Sequence, residues 1–280
     1  MVHRLDEPSG PSVPNARGGP VEPDRPLRSP DPREVRRAVA RDGVAVMSGR
    51  DEIDSQGAID VAHEVFGEAI RRIPPPAEVR AGGVRDKTAD AIDETMPLPP
   101  HTDGFAYGDR YPDHFLLACE RSSPYGGESF AVDGHAVLDR IASRPDGAAL
   151  LERMSSVAIE QTEPGMRSSL DPLVGRAPGG RPMLRRFPFQ VPAADSADPA
   201  EDARMIAVWH EAVSAAGEEA PRFRLEPGDV VVFDNYRMMH GREPYTDPDR
   251  LMWRVWIWTD EALGIPDGRL HSDSRYAGAT

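Results

Sequence analysis

Two residues that commonly bind metals lie two positions apart in the segment LPPHTDGFAYGD, residues 98–109: His101 and Asp103. In an extended chain, side chains two residues apart project from the same face, so the imidazole and the carboxylate would be presented together. Both groups are ligands for divalent transition metals. A His-x-Asp triplet also arises by chance in polar loops, so the pair predicts a metal site only if the chain supplies a third ligand.

His240 is the candidate for that third ligand. It follows the apolar run VVVF (230–233) and precedes Gly241, which places an imidazole beyond the end of a core strand with an uncrowded neighbour. Two imidazoles and one carboxylate occupy one face of a metal ion and leave three positions open, as in non-haem Fe(II) oxygenases. A zinc hydrolase can use the same three ligands, and a single histidine is more often a surface or capping residue. The other histidines that we considered lack such partners and are interpreted as structural: His63, His114, His135 and His210.

Length and charge restrict the class of protein. A chain of 280 residues fits one large β or α+β domain, and the net charge of −14 without a basic tract argues against a nucleic-acid partner. Cys119 is the only cysteine and lies in the apolar run FLLAC, so we expect a buried small hydrophobic residue. No apolar run approaches the roughly 20 residues of a membrane span, and no secretory signal is recognisable. We therefore expect a soluble cytoplasmic protein without a membrane partner.

The chain divides into a Pro-rich flexible arm at 1–30 and a single domain at 31–280. The second half is rich in predicted strands, which indicates a mainly β, α+β fold with flanking helices around a jelly-roll or double-stranded β-helix core. The polar loop 164–182 is a candidate lid. Apolar periodicity and capping residues predict helices at 32–42, 54–73, 133–143 and 200–217. Strands are predicted at 44–47, 115–119, 154–161, 222–225, 230–234 and 251–258.

Three segments, in order, carry a resemblance to a known family. PHTDGFAYGD, YGGESFAVDG and LEPGDVVVFDNYRMMHGREPY…DRLMWRVWIWTD resemble the Fe(II)/2-oxoglutarate-dependent dioxygenases of the taurine dioxygenase superfamily, most of all the γ-butyrobetaine and trimethyllysine hydroxylase branch. The resemblance extends from about residue 40 to residue 262. It implies Fe(II), 2-oxoglutarate and O2 as cofactor and cosubstrates, with iron held by His101, Asp103 and His240. The cysteine-rich zinc module that often begins proteins of that branch has no counterpart here.

The resemblance also assigns residues around the iron. Arg250 is implied to bind the distal carboxylate of 2-oxoglutarate, and Ser129 to donate to the same group, because a guanidinium fork binds a carboxylate bidentately. Arg254 matches a second arginine that contacts either the other end of 2-oxoglutarate or an acidic group of the substrate. The alternative is that these arginines form surface ion pairs. Their position in an apolar strand argues against it, because an unpaired charge there is costly. The expected substrate pocket consists of Phe105, Tyr107, Asn235 and Arg186, with Asn235 alternatively supporting His240.

The expected reaction is hydroxylation of an unactivated C–H bond in a small polar metabolite of the amino acid, betaine or amine type, with release of succinate and CO2. Asp103 favours hydroxylation over halogenation, since halogenating relatives carry a small residue there. The alternatives are a desaturase or cyclase of bacterial natural-product biosynthesis and a non-catalytic metal-binding β-barrel. A zinc hydrolase would have no use for a buried Arg250. The sequence leaves open whether the protein is a homo-oligomer.

Overall fold

The longest strand, LMWRVWIWT, lies inside the larger of two sheets that form the centre of the protein. The computed structural model describes residues 25–80, 95–162, 169–273 and 276, with the side chain of Phe105 left out. The helices are α1 (Pro32–Asp42), α2 (Ser55–Phe66), α3 (Gly134–Ala142), α4 (Gly147–Ser156) and α5 (Pro199–Glu219). The strands are β1 (Leu27–Ser29), β2 (Val44–Met47), β3 (Ile70–Arg72), β4 (Ala77–Val79), β5 (Leu98–His101), β6 (His114–Arg121), β7 (Ser129–Asp133), β8 (Ile159–Glu160), β9 (Leu170–Asp171), β10 (Val174–Arg176), β11 (Pro182–Leu184), β12 (Val191–Pro192), β13 (Val230–Asp234), β14 (Met238–Arg242) and β15 (Leu251–Thr259).

The larger sheet has the order β1-β2-β13-β6-β15-β3, with β4 also paired to β15, and the smaller sheet has the order β5-β14-β7. The rings of Phe115 on β6 and Phe233 on β13 lie 4.6 and 5.5 Å from the ring of His240 on β14. The two sheets therefore face each other across an aromatic interior. This arrangement confirms the predicted mainly β, jelly-roll core with flanking helices.

Alternation along the strands explains why the helices lie outside. On β13, Val230 and Val232 pack in a cluster with α1 and α2, whereas Val231 and Phe233 face the interior between the sheets. The outer face of the smaller sheet is covered by α3, α4 and α5, with Trp209 buried in that layer. Within the described part of the chain, no helix is both long and apolar enough to cross a membrane.

The local signals for the first helix are confirmed. The Asp31 side chain accepts a hydrogen bond from the Arg33 backbone N–H at 2.8 Å and caps α1, and Pro32 occupies its first turn. Gly43 ends the helix in the left-handed region, at φ 83°, which costs glycine little. The capping residues of α3 and α5, Asp133 and Asp198, accept backbone hydrogen bonds in the same way.

Several sequence predictions were wrong at the ends of elements. The helix predicted over 54–73 ends at Phe66, because Gly67 takes a non-helical conformation (φ 53°, ψ −128°) and Ile70–Arg72 pairs with β15 as a strand. The strand predicted over 154–161 is reduced to Ile159–Glu160, since α4 extends to Ser156. The strand predicted over 222–225 is reduced to an isolated β-bridge between Phe223 and Ser129.

The arm and the candidate lid also contain regular structure. Leu27–Ser29, near the end of the predicted arm, pairs in parallel with β2, while residues 1–24 lie outside the described part. The loop 164–182 holds β9, β10 and the first residue of β11, and β10 and β11 form an antiparallel pair. Residues 163–168 fall outside the described residues. These strands are two or three residues long, too short for periodicity to reveal them.

Candidate metal centre

The register between β5 and β14 brings the predicted ligands together. His101 and His240 are direct cross-strand partners, and their rings lie 4.2 Å apart. Asp103 follows two residues after His101, and its Oδ1 atom is 3.7 Å from the His101 Nε2 atom. One ligand atom from each of the three residues lies within 4.8 Å of those of the others. This separation suits a single ion bound between them, so the three side chains could hold a metal.

Both histidines are prepared to act as ligands. Burial, followed by repulsion from His101, lowers the pKa of His240 to about 3, so its imidazole is neutral near pH 7. The Nδ1 atom of His240 is buried and has no hydrogen-bond partner among the described residues. A buried imidazole nitrogen without a protein partner is available to bind a metal ion. The Nδ1 atom of His101 lies 3.0 Å from the Pro99 carbonyl, which favours the tautomer that leaves Nε2 free to bind metal.

Asp103 is held as a carboxylate by its neighbours. Burial alone would raise the pKa of this group, but the positive charge of Arg254 and the hydrogen bond with His101 together lower it below its usual range. The Trp256 indole N–H donates to Oδ2 at 2.9 Å, and the Arg254 guanidinium donates to Oδ1 at 3.3 Å. Because Trp256 and Arg254 share one face of β15, both reach the carboxylate from the same side.

The Trp256→Phe variant is expected to weaken Fe(II) binding by about 10-fold, because loss of a partner that orients a metal ligand costs about 10- to 100-fold in affinity. Fe(II) titration without oxygen measures the change. Trp258→Phe is the matched control, since Trp258 lies on the same strand and donates its indole N–H to the Arg110 carbonyl at 2.8 Å instead. Equal Fe(II) affinity in the two variants would contradict the assigned role of Trp256.

Asn235, placed in the substrate pocket by sequence, is fully buried and supports the metal-binding loop. Its side-chain oxygen accepts from the Asp103 backbone N–H at 3.0 Å, and its side-chain nitrogen donates to the Asp103 and Pro112 carbonyls at 3.0 and 2.7 Å. Both polar atoms of the amide group are therefore bonded to the backbone. The sequence offered support of His240 as the alternative to a pocket position; the structure instead bonds Asn235 to the loop that carries Asp103.

The Asn235→Ala variant is expected to lower the free energy of unfolding by about 2–4 kcal/mol, because it leaves several buried backbone groups without partners at about 1–3 kcal/mol each. Urea denaturation measures this loss. The matched amide control is Gln56→Ala, which removes a side chain on α2 whose amide donates to the exposed Asp60 carboxylate. We expect that control to remain within about 0.5 kcal/mol of the parent. An equal loss in the two variants would contradict the supporting role of Asn235.

Arg250 lies apart from the three ligands in a buried position without a carboxylate. It is 4 % exposed, its guanidinium lies 4.8 Å over the Tyr245 ring, and its Nη1 atom has no hydrogen-bond partner among the described residues. Burial lowers its pKa. Gly127 approaches so closely that a Cβ atom there would be 3.2 Å from the Arg250 Nε atom. Ser129 follows two residues later, buried at the start of β7.

The structure gives the two arginines of this segment different surroundings. Arg254 donates to the Ser272 carbonyl at 2.8 Å as well as to Asp103, so its guanidinium adjoins the metal ligands. Arg250 has no acid partner in the described chain and offers an unpaired donor to an anion. Cys119 is buried as predicted, and burial raises the pKa of its thiol to about 12.

Tyr107, an aromatic residue of the expected pocket, packs against the interior. The Tyr107 ring meets the Trp256 and Trp258 rings edge-on at 5.7 and 5.4 Å, and its hydroxyl donates to the His271 carbonyl at 3.0 Å. Phe105 begins a short 3₁₀ turn, and its side chain lies outside the described part. Arg186 is buried beside the metal-binding loop, and the neighbouring Arg185 donates to the Pro172 carbonyl at 3.0 Å.

Two contributors were missed from sequence. Trp256 could have been found, because it stands two residues after Arg254 on a predicted strand and therefore shares its face. Thr102 is fully buried between His101 and Asp103 and bonds to the backbone of Arg186, a contact across 84 residues of chain that no local pattern indicates.

Comparison with known proteins agrees with this geometry. The family model for the taurine catabolism dioxygenase TauD, TfdA family matches residues 6–256. Clavaminate synthase 2 from Streptomyces clavuligerus is 25 % identical over 279 residues, which cover 92 % of this chain and 77 % of that protein.

Solved structures with the same fold include oxygenases. Asparagine oxygenase in complex with Fe(II), 2S,3S-3-hydroxyasparagine and succinate superposes with a TM-score of 0.60 at 17 % identity, covering 82 % of this chain and 78 % of that one. PvcB from Pseudomonas aeruginosa superposes with a TM-score of 0.59 at 18 % identity, covering 91 % and 97 % of the two chains. Because the family match spans most of the sequence and the His-Asp-His cluster is assembled, the chain belongs to the TauD/TfdA family of iron- and 2-oxoglutarate-dependent oxygenases.

Proposed function

We propose that this enzyme holds Fe(II) with His101, Asp103 and His240 and hydroxylates an unactivated C–H bond of a small polar metabolite. The observation that carries the proposal is the buried His240 Nδ1 atom, neutral and without a hydrogen-bond partner in the described chain, in a cluster with an ionised Asp103. A purely structural cluster would satisfy that nitrogen with a donor or acceptor of the protein.

Arg250 is proposed to anchor the distal carboxylate of 2-oxoglutarate, with Ser129 contributing a hydroxyl to the same end. The support is that Arg250 is buried, that its Nη1 atom has no hydrogen-bond partner among the described residues, and that it lies directly before β15, the strand that carries Arg254 and Trp256. Bound iron and 2-oxoglutarate supply the oxidising power, consuming O2 and releasing succinate and CO2. The protein keeps the ligands oriented through Trp256 and Asn235 and keeps the space beside His240 dry with the rings of Phe115 and Phe233.

Arg254 is proposed to contact whichever acidic group lies next to the metal, either the near end of 2-oxoglutarate or the substrate. Its ion pair with Asp103 supports this placement. Tyr107 forms part of the wall on this side through its contacts with Trp256, and Phe105 in the same turn is proposed to line the pocket.

A tailoring reaction such as desaturation or cyclisation is the second candidate. It is favoured by the likeness to clavaminate synthase 2 and to PvcB, which is described as an oxygenase from an isonitrile synthetic pathway. The narrower resemblance to the γ-butyrobetaine and trimethyllysine hydroxylase branch and the cytoplasmic location stay predictions of the sequence, which leaves the oligomeric state open.

The test of this proposal begins without any substrate. Fe(II) and then 2-oxoglutarate are added to metal-free protein under anaerobic conditions, and we expect a visible metal-to-ligand charge-transfer band. No band despite tight metal binding would overturn the proposal and favour a zinc hydrolase or a non-catalytic barrel. Succinate release is then screened with amino acids, betaines including γ-butyrobetaine, and amines. Product mass separates the two candidates, because hydroxylation adds an oxygen atom and desaturation removes two hydrogen atoms.

A further inference from the structure

Arg186 is a second buried arginine without a partner. It follows β11 closely, is 6 % exposed, and its Nε and Nη1 atoms have no hydrogen-bond acceptor among the described residues. Burial lowers its pKa, and no carboxylate in the described chain offsets this effect. Keeping a cation in such a place is costly, so the arrangement calls for an anion that the protein itself does not supply.

Three partly buried arginines of the described chain are paired with acids. Arg153 lies 2.5 Å from Asp202, Arg237 lies 2.6 Å from Asp133, and Arg181 forms an ion pair with Asp234. The chain carries 47 acidic residues against 33 lysines and arginines, so partners are plentiful. An unpaired Arg186 in a protein with this excess of acid indicates a reserved binding position.

The backbone of Arg186 is attached to the metal-binding loop. Its carbonyl accepts from the Thr102 N–H at 3.1 Å, and its own N–H donates to the Thr102 hydroxyl at 3.3 Å. Thr102 stands between the two ligand residues His101 and Asp103. The guanidinium of Arg186 therefore lies within one side-chain length of the loop that holds the metal.

His210, which lies close enough to feel the charge of Arg186, is neutral and belongs to a hydrogen-bonded chain of uncharged side chains. Burial, followed by the positive charge of Arg186, lowers the pKa of His210 to about 4, so this imidazole is uncharged near pH 7. His210 Nε2 lies 2.8 Å from the Gln190 side-chain oxygen, and the Gln190 nitrogen donates to Gln161 at 2.8 Å. These groups fix a polar, enclosed environment in which a charged hydrogen bond is weakly screened.

We infer that Arg186 binds a carboxylate of the substrate and that the substrate is therefore an acid. This inference rests on the proposed function, because it takes the metal at His101, Asp103 and His240 as the reacting centre. A guanidinium fork matches a carboxylate with two parallel hydrogen bonds, which fixes the orientation of the bound molecule as well as its charge. Amino acids and betaines with a free carboxylate satisfy this requirement, whereas an amine without an acid group leaves Arg186 unpaired.

Acetate is the probe, and thermal unfolding is the readout. The protein is loaded with Mn(II) and N-oxalylglycine, a 2-oxoglutarate analogue that would fill the proposed site at Arg250. Acetate then replaces chloride at constant ionic strength. A ligand that binds only the folded state raises Tm in a saturable manner. We expect acetate to raise the Tm of the parent protein, Arg186→Met to remove at least about nine-tenths of the rise, and Arg186→Lys to keep part of it. Arg204→Gln, which removes an exposed arginine paired with Glu201 and Asp146, keeps the full rise.

The Tm without acetate separates binding from folding. Because Arg186→Met removes an unpaired buried charge, its Tm is expected to equal or exceed that of the parent. A lowered Tm with an unchanged acetate response would show a structural role and overturn the inference. The absence of an acetate response in the parent protein would also overturn the inference. A response that disappears once N-oxalylglycine is bound would overturn it as well, because Arg186 would then bind the cosubstrate.

Failure of the proposed function gives a different result. In that case the Fe(II)/2-oxoglutarate band is absent, while the acetate response at Arg186 is still measurable. Once succinate release has identified a substrate, its carboxylate form is compared with the matching primary amide. We expect Arg186→Met to raise KM for the acid by about 100-fold with a much smaller effect on the amide, since a charge-assisted hydrogen bond contributes about 1.5–3 kcal/mol. Equal effects on acid and amide would contradict a carboxylate at this position.

Discussion

The His240→Ala variant is expected to lose the visible band that Fe(II) and 2-oxoglutarate produce without oxygen, together with succinate formation. Removing one of three ligands should weaken Fe(II) binding by more than about 100-fold, because even the loss of an outer partner of a ligand costs about 10- to 100-fold. The substitution leaves a cavity next to the rings of Phe115 and Phe233, which can destabilise the fold. The Tm of the variant is therefore measured together with its spectrum. Anaerobic Fe(II) titration with absorbance detection is the measurement.

Two controls make this result specific to the metal. His63→Ala removes an exposed imidazole on α2 and should leave the band unchanged. His240→Gln keeps much of the side-chain volume and should fold like the parent while binding Fe(II) weakly. A His240→Ala protein that is folded and still forms the band at the parent's Fe(II) concentration would remove His240 from the coordination shell.

The Arg250→Met variant is expected to need about 30- to 1000-fold more 2-oxoglutarate to form the same band. Truncating one partner of a buried, hydrogen-bonded charge pair typically costs about 2–5 kcal/mol of binding free energy. We expect a loss of about 2–4 kcal/mol here, and each tenfold change in the dissociation constant corresponds to about 1.4 kcal/mol. Burial lowers the pKa of Arg250 and its Nη1 atom has no partner among the described residues, so we expect a bound carboxylate to stabilise this charge strongly. Titrating 2-oxoglutarate into the anaerobic Fe(II) protein gives the dissociation constant.

The two variants differ in what excess ligand can restore. At saturating 2-oxoglutarate, Arg250→Met should regain the full band, because the chelating end of the cosubstrate is untouched, whereas His240→Ala should not. Arg140→Gln, which removes an exposed arginine paired with Glu219, is the charge control and should titrate like the parent. An unchanged 2-oxoglutarate affinity in Arg250→Met would assign the anchor to another residue, with Arg254 as the first alternative to examine.

Some of this protein is determined by short stretches of sequence. The His-x-Asp spacing places two side chains on one face of any extended segment, and the run before His240 is apolar enough to form a core strand whatever its neighbours. Asp31, Pro32 and Gly43 define α1 because caps act within one turn of their own helix. These features require no knowledge of the remaining chain.

Tertiary structure decided the features that depend on pairing. Ile70–Arg72 has helical periodicity in sequence but forms a strand, since β15 offers it backbone partners that the sequence pattern does not show. Asn235 was assigned to the pocket from its position near His240, and its actual partners, the backbones of Asp103 and Pro112, lie 132 and 123 residues away along the chain.

The metal centre shows the same division. Residue types and local spacing predicted His101, Asp103 and His240 as ligands, but only the register between β5 and β14 sets the two imidazoles opposite each other. Whether an arginine is paired also depends on distant chain: Arg181 and Arg186 look alike in sequence, yet one meets Asp234 and the other meets no acid among the described residues. Local spacing fixes which groups are presented together, because the backbone repeat is short. Charge pairing and cross-strand register arise from contacts between remote segments, which only the folded chain brings together.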